Sequence, residues 1–389
     1  MSYLWTYIFR MGTVFLSFHS FVHSTMISQI SLSKFIQKYP AIKHIQCTQK
    51  MHVEMNRFPL FSKTEEKYFP SRVNFLPISI IEVPKGLAYF DVNGYVFLNN
   101  CFIKEMQIKH LNFFNNRESI EVFTGNNGIK VKGRVAIISH LYPYCYGHWI
   151  FDVLGQLALL EMHNIAYDYL CVPYYKPFMK ESLELWGIDS SKIIPLTLKT
   201  SLLADTIIMT TPVTQTDVLV FNSNYNIDFI LRYVSQKLLS NALSRFELKQ
   251  FAKKIFISRK DAGGKRSMPN EDEIFSLFES VGFKRYSLAT LPFVQQIALF
   301  HNAQSIVNFV GSGGVNTIFC KPGTNYIEIS QKMVDATFFY VADMFKLQYS
   351  CINNSTIEDI IGNAIWASGT DVPIQLVKDF LAQHQELIT

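Results

Sequence analysis

The clearest pattern of apolar and polar positions begins at residue 134. Residues 135–139 read as a strand, with 135–138 apolar without alternation, as cover on both sheet faces requires. Residues 146–162 then read as a helix, 169–172 as a strand, and 177–186 as a helix closed by Gly187. Strand-like runs follow at 193–196 and 206–210, and a long helical stretch covers about 226–246. A second alternating set begins with a strand at 254–258 and continues through a helix starting at Asn270, a short strand at 283–286 and a helix at 293–301. The apolar run 305–310 comes next. It ends in Gly311, Gly313 and Gly314, three glycines within four residues, and leads into a helix start at 315–320. A strand at 326–329 and an amphipathic helix at 372–387 complete the pattern.

Alternating strands and helices with short connections predict parallel sheets covered by helices. The expected fold class is α/β, with two doubly wound, Rossmann-type domains facing a cleft. The expected division has five parts. Residues 34–225 form the first domain with a β-rich lead-in, 226–247 a linker helix, 248–370 the second domain, 371–389 a C-terminal helix, and 1–33 a separate leading segment. Residues 34–130 are broken by prolines and give only short strand-like runs.

Composition narrows the function. A chain of 389 residues is too long for one ordinary core, and 49% hydrophobic with 17% charged residues describes a well-buried globular protein. The formal charge of +5 suits an anionic small molecule or an anionic membrane surface. No basic stripe with interleaved aromatics occurs, so nucleic acid is not an expected partner. The six cysteines lie far apart, without the close pairs of a zinc or redox site, and read as small core residues. Residues 1–30 carry one charge, Arg10, and 11–27 are moderately apolar but interrupted by serines and histidines. Three readings stay open there: a packed or interfacial helix, a weak anchor or signal, or an over-extended start. The expected location is cytoplasmic, with peripheral membrane association as an option, or lumenal behind an N-terminal anchor.

The candidate chemistry gathers at strand ends, where open α/β sheets bind ligands. The glycine turn Gly311–Gly314 can bring backbone amides and a helix end close to an anion. The stretch 258–266 leaves its strand with Arg259, Lys260, Lys265 and Arg266. The two arginines suit bidentate contact with a diphosphate. Glu328, near a strand end, could bond a ribose hydroxyl. Asn270 has the position of a helix cap, with Glu273 in the capping-box place and Glu271 and Asp272 suiting the helix dipole. No Asp-x-Asp pair is present, so no metal or other cofactor is expected. In 146–162, His148, Asp152 and Gln156 recur every four residues and form a polar stripe on an apolar helix. Asp152, with His148 one turn away, is the candidate general base.

These residues resemble a known family. The series Ile257-Ser258-Arg259-Lys260-Asp261, Arg266, Asn270-Glu271-Asp272-Glu273, Gly311-Ser312-Gly313, Asn316, Pro322-Gly323 and Ile327-Glu328-Ile329 is similar to glycosyltransferase family 61. Gly147-His148-Trp149-Ile150-Phe151-Asp152 looks like that family's His-Trp-x-x-Asp helix. The resemblance covers about 134–330. It implies a GT-B fold, an inverting mechanism and a nucleotide-sugar donor, and the missing Asp-x-Asp pair makes the expected transfer metal-independent. The acceptor would be a glycan or glycolipid, as in capsule, lipopolysaccharide or other cell-surface polysaccharide synthesis. It puts Arg259, Arg266, Asn270, Gly311, Ser312, Gly313, Gly314, Asn316 and Glu328 on the donor side, with Asp152 and His148 catalytic. Two departures stand out: Val310 where the family has histidine, and Gly155 where it has proline.

Overall fold

The strands of both alternating sets pair in parallel, and each parallel set reverses its strand order once. A computed structural model describes residues 23–49, 51–54, 72–91, 95–106, 119–124, 128–214, 228–247, 250–260, 268–330, 336–353 and 371–385. The architecture over those residues is mixed α/β. In the larger sheet, Gly128–Ile137 lies between Tyr169–Val172 and Thr200–Thr210, parallel to both, and Ile193–Pro195 adds beyond Tyr169–Val172. Counted along the chain, that is the order third, second, first, fourth. The sheet then continues antiparallel through Ser79–Phe90. The smaller sheet is wholly parallel, in the order Lys284–Tyr286, Lys254–Ile257, Ser305–Phe309, Asn325–Ser330, Gln348–Asn353. Its order is second, first, third, fourth, fifth. Where a doubly wound sheet reverses, the helices on either side diverge and leave a crevice at the strands' carboxyl ends.

The two sheets share apolar packing. One cluster of buried side chains runs from Ala136, Ile138, Trp149 and Ile208 on the first to Ile255, Ile306, Phe319 and Tyr326 on the second. The helix expected as a linker spans Asp228–Arg245 and packs into that cluster through Ile230, Leu231, Val234, Leu238 and Ala242. Its Ser235 hydroxyl donates to the Ile318 carbonyl, 2.5 Å away.

Four features differ from the sequence reading. His23–Ile30, placed with the leading segment, is a strand of the larger sheet, paired with Cys101–Ile103 and Ser119–Thr124. Its burial alternates, with Ile27 inside and Met26 and Ser28 outside, which is the period of a strand and not of a helix. Residues 1–22, the rest of that segment, lie outside the described residues. Pro84 sits within the twelve-residue strand Ser79–Phe90, opposite Thr206 and next to a bulge, the place where a sheet tolerates a missing N–H. Asn270 makes no cap: its Nδ2 donates to Val372 O at 2.7 Å and its Oδ1 accepts from Val372 N at 3.1 Å. The helix Thr337–Met344 and the strand Gln348–Asn353 were not read from the sequence. Among the described residues, no helix is long and apolar enough to cross a membrane.

Candidate functional site

The reversal point of the larger sheet lies between Gly128–Ile137 and Thr200–Thr210. His140 follows the first of these strands and Thr214 follows the second. The helical segment between them in sequence, 146–162, contains a π-helical turn at Trp149–Val153. Such turns are rare and concentrate at functional sites. The turn is anchored by Trp149, buried, whose Nε1 donates to Ser182 Oγ at 2.8 Å. Gln156, the last member of the polar stripe, donates to Ser139 O at 2.8 Å and ties the helix to the strand end.

Asp152 is the centre of this arrangement and has no exposed surface. Its Oδ1 accepts from the Thr214 hydroxyl, and its Oδ2 lies 3.0 Å from His148 Nδ1 and 3.6 Å from His140 Nε2. Burial would push the Asp152 carboxyl up. His140, His148 and the Thr214 hydroxyl together outweigh burial and hold it below its usual range. It is therefore a carboxylate, which can only accept. His148 Nδ1 must then donate, and the lone pair of its neutral ring lies on Nε2. The two imidazoles stack, with centroids 4.1 Å apart. The His148 side chain is 21% exposed, so it is the member of the pair that reaches solvent.

His140 has a fixed proton as well. Its Nδ1 accepts from the Tyr142 amide at 3.0 Å, which puts the ring hydrogen on Nε2, facing Asp152. This bears on metal binding, because His140, His148 and Asp152 offer three ligand atoms within 4.8 Å of one another. A cation there would need bare nitrogens. His140 could provide one only by giving up the Tyr142 contact or by becoming an imidazolate. A cation held there would therefore come at the expense of the Tyr142 contact.

The reversal point of the smaller sheet lies between Lys254–Ile257 and Ser305–Phe309. Arg259 follows the first strand and the glycine turn follows the second. Arg259 Nη1 donates to Val310 O at 2.9 Å, so its guanidinium crosses from one strand end to the other. Gly311 has φ +149°, and a Cβ there would overlap Arg259 Nη1, so glycine is required on both counts. The chain continues as the 3₁₀-helix Ser312–Phe319, whose first amides have no partner within the helix. Glu271 is buried and is no mere complement to the helix dipole. It accepts from Ser258 Oγ at 2.6 Å and from Arg259 N at 2.9 Å, and so fixes the loop that carries the arginine.

The two reversal points meet. Tyr146, at the start of the first helix, donates from its hydroxyl to Asn316 Oδ1 at 2.6 Å. Cys145 Sγ lies 3.3 Å from Ser312 Oγ, and a Cβ on Gly147 would fall 3.5 Å from Val315. The helix bearing His148 and Asp152 is thus docked on the glycine turn.

The residues expected at the site do not all face it. Ser312 meets Cys145 and Gly147 at the junction, and Arg259 lies against Val310 and Gly311 beside it. Gly314 closes the turn by donating to Gly311 O, and a Cβ on it would collide with Tyr326 and Phe338. Asn316 is fully buried and joins Tyr146 to Gln296, whose Oε1 accepts from its amide at 3.3 Å. Glu328 is buried too and accepts from the Tyr349 hydroxyl at 2.6 Å. Asn270 docks the Val372 backbone, as described. Asn270 and Asn316 thus have both ends of the side-chain amide paired, and Glu328 pairs one carboxylate oxygen with Tyr349. Arg266 and Lys265 lie outside the described residues. His140 and Thr214 were missed by the sequence reading, although both follow strands it had identified.

No curated protein matches the chain. Residues 146–327 match the family model described as Glycosyltransferase 61, a span that opens at the helix of His148 and Asp152 and closes in the strand of Glu328. Over that span the chain is similar to glycosyltransferase family 61, which supports its assignment to that family and a glycosyltransferase activity on glycans.

Proposed function

We propose that the chain is an inverting glycosyltransferase of GT-B-like arrangement that uses a nucleotide-sugar donor. The donor's diphosphate sits at the reversal point of the smaller sheet, against Arg259 and the first amides after Gly311. The acceptor hydroxyl approaches from the side of His148. The acceptor oxygen attacks the anomeric carbon, its proton passes to His148 Nε2, and the anomeric carbon–oxygen bond to the diphosphate breaks with its electron pair leaving on phosphate. Arginine and backbone amides stabilise that charge.

The carrying observation is the difference in burial within the dyad: Asp152 is sealed, while His148 reaches solvent. It favours His148 as the base and Asp152 as the group that orients it and balances the positive charge forming on its ring. That reverses the roles suggested by residue type alone. His140 and Thr214 hold the carboxylate in place. A hexosyl or pentosyl transfer to a growing cell-surface polysaccharide is compatible with this site.

The test is release of nucleoside diphosphate from a panel of nucleotide sugars, with and without EDTA. Turnover of at least one donor, unchanged by chelator, is the expected result. A second reading, binding without turnover, is motivated by Val310 in the family's histidine position. A donor that raises the melting temperature but is never consumed would favour that reading.

A further inference from the structure

Among the described residues, the tyrosines that remain exposed are Tyr142, Tyr144 and Tyr175, at 40%, 57% and 53%. They are not scattered. Tyr142 and Tyr144 lie in the loop after the strand Gly128–Ile137, and Tyr175 follows the neighbouring strand Tyr169–Val172. All three therefore stand at the carboxyl edge that carries His148. The Tyr142 ring is 5.9 Å from that of His148 and 6.2 Å from that of Tyr144, the latter edge-on at 83°. Tyr144 in turn lies close enough to Tyr175 to add to the effect of partial burial in pushing its hydroxyl up. At the rim, Lys180 sits 5.5 Å over the ring of Tyr174.

Exposed aromatic faces gathered beside a catalytic group need a reason, because a soluble protein ordinarily buries such surface. The geometry points to an acceptor subsite: the tyrosine shelf holds an uncharged pyranose unit of the glycan acceptor and presents its hydroxyl to His148. A pyranose carries axial C–H groups on a face that stacks on an aromatic ring, and its equatorial hydroxyls suit phenol partners at the edge. No carboxylate appears among the residues that form the shelf. The occupant that this chemistry favours is a neutral sugar, in preference to a cationic peptide. The inference rests on the proposed sugar transfer, since it names the acceptor side of the same site.

The experiment presents the full chain to an array of immobilised neutral pyranose glycans and, in parallel, follows its melting temperature with uridine, guanosine and cytidine nucleotides. Wild type should retain at least one glycan. Tyr144→Ala and Tyr175→Ala should each weaken that binding at least about tenfold, as for an aromatic anchor, while Tyr→Phe at either position, which keeps the ring and loses only the phenol contact, weakens it less. Alanine variants that bind as wild type does, or a wild type that retains no neutral glycan, overturn the shelf. The nucleotide shift reads the donor crevice separately. Its absence with glycan binding intact counts against the proposed transfer and leaves the shelf standing. Its presence with unaffected alanine variants removes the shelf alone.

Discussion

Replacing Asp152 with asparagine separates charge from shape. The carboxylate receives the Thr214 hydroxyl on one oxygen and the His148 N–H on the other, with His140 Nε2 3.6 Å from the second. An asparagine can keep its oxygen toward the histidines and turn its amide to Thr214, whose hydroxyl can rotate to accept. Packing and the His148 tautomer then survive, and the stability change should stay under about 2 kcal/mol, the difference between charged and neutral hydrogen bonds at two contacts. The rate should not survive. When His148 takes the acceptor proton, its ring becomes positive with Nδ1 3.0 Å from Oδ2. Two unit charges about 4 Å apart at an effective dielectric near 20 attract by about 4 kcal/mol, or roughly 10³-fold in rate. The assay is initial-rate release of nucleoside diphosphate, with donor affinity and melting temperature measured on the same samples. A variant that folds, binds donor and turns over near the wild-type rate would show that the carboxylate charge takes no part.

The remaining predictions probe other contacts. Arg259→Ala should weaken donor binding by about 1.5–3 kcal/mol by calorimetry, and lysine should restore only part, because it lacks the guanidinium fork. Gly311→Ala should also weaken donor binding, since its methyl displaces the same guanidinium; unchanged affinity would take Arg259 out of the donor crevice. Tyr146→Phe leaves the buried Asn316 Oδ1 without its 2.6 Å donor and should lower stability by about 1–3 kcal/mol in urea unfolding. Asp152 also predicts a pH dependence. Its folded pKa lies below the unfolded value of about 3.9, so the carboxylate stabilises the fold above that pH and loses this effect as pH falls through the folded pKa. The stability gap between wild type and Asp152→Asn should therefore close on acidification, and a gap constant with pH would contradict the assignment.

How much of this was legible depended on the kind of signal. Most of the parallel strands were readable because burial on both faces leaves a largely apolar run, as in 305–310, whereas Gln348–Asn353 was not read. The site helix was readable because His148 and Asp152 interrupt an otherwise apolar stretch. The π-helical turn was not, since nothing in Trp149–Val153 distinguishes it from an ordinary helical turn. His140 and Thr214 each follow a strand end among other polar residues, and only the strand order shows that those two ends adjoin. Asn270, Asn316 and Glu328 carry functional side-chain types at plausible positions, yet each meets a partner from a distant segment: Val372, Tyr146 and Tyr349. Such pairings are a property of the tertiary fold and have no local signature.

The central claim is that one base, His148, activates the acceptor on the face opposite a departing diphosphate. That geometry inverts the anomeric centre. It can be tested without knowing the acceptor, because water can replace it. Proton NMR of freshly hydrolysed donor, recorded before the released sugar mutarotates, reads the first anomer formed. The account predicts the anomer opposite to the donor's, together with loss of that signal in His148→Ala. A product that keeps the donor's configuration would contradict it.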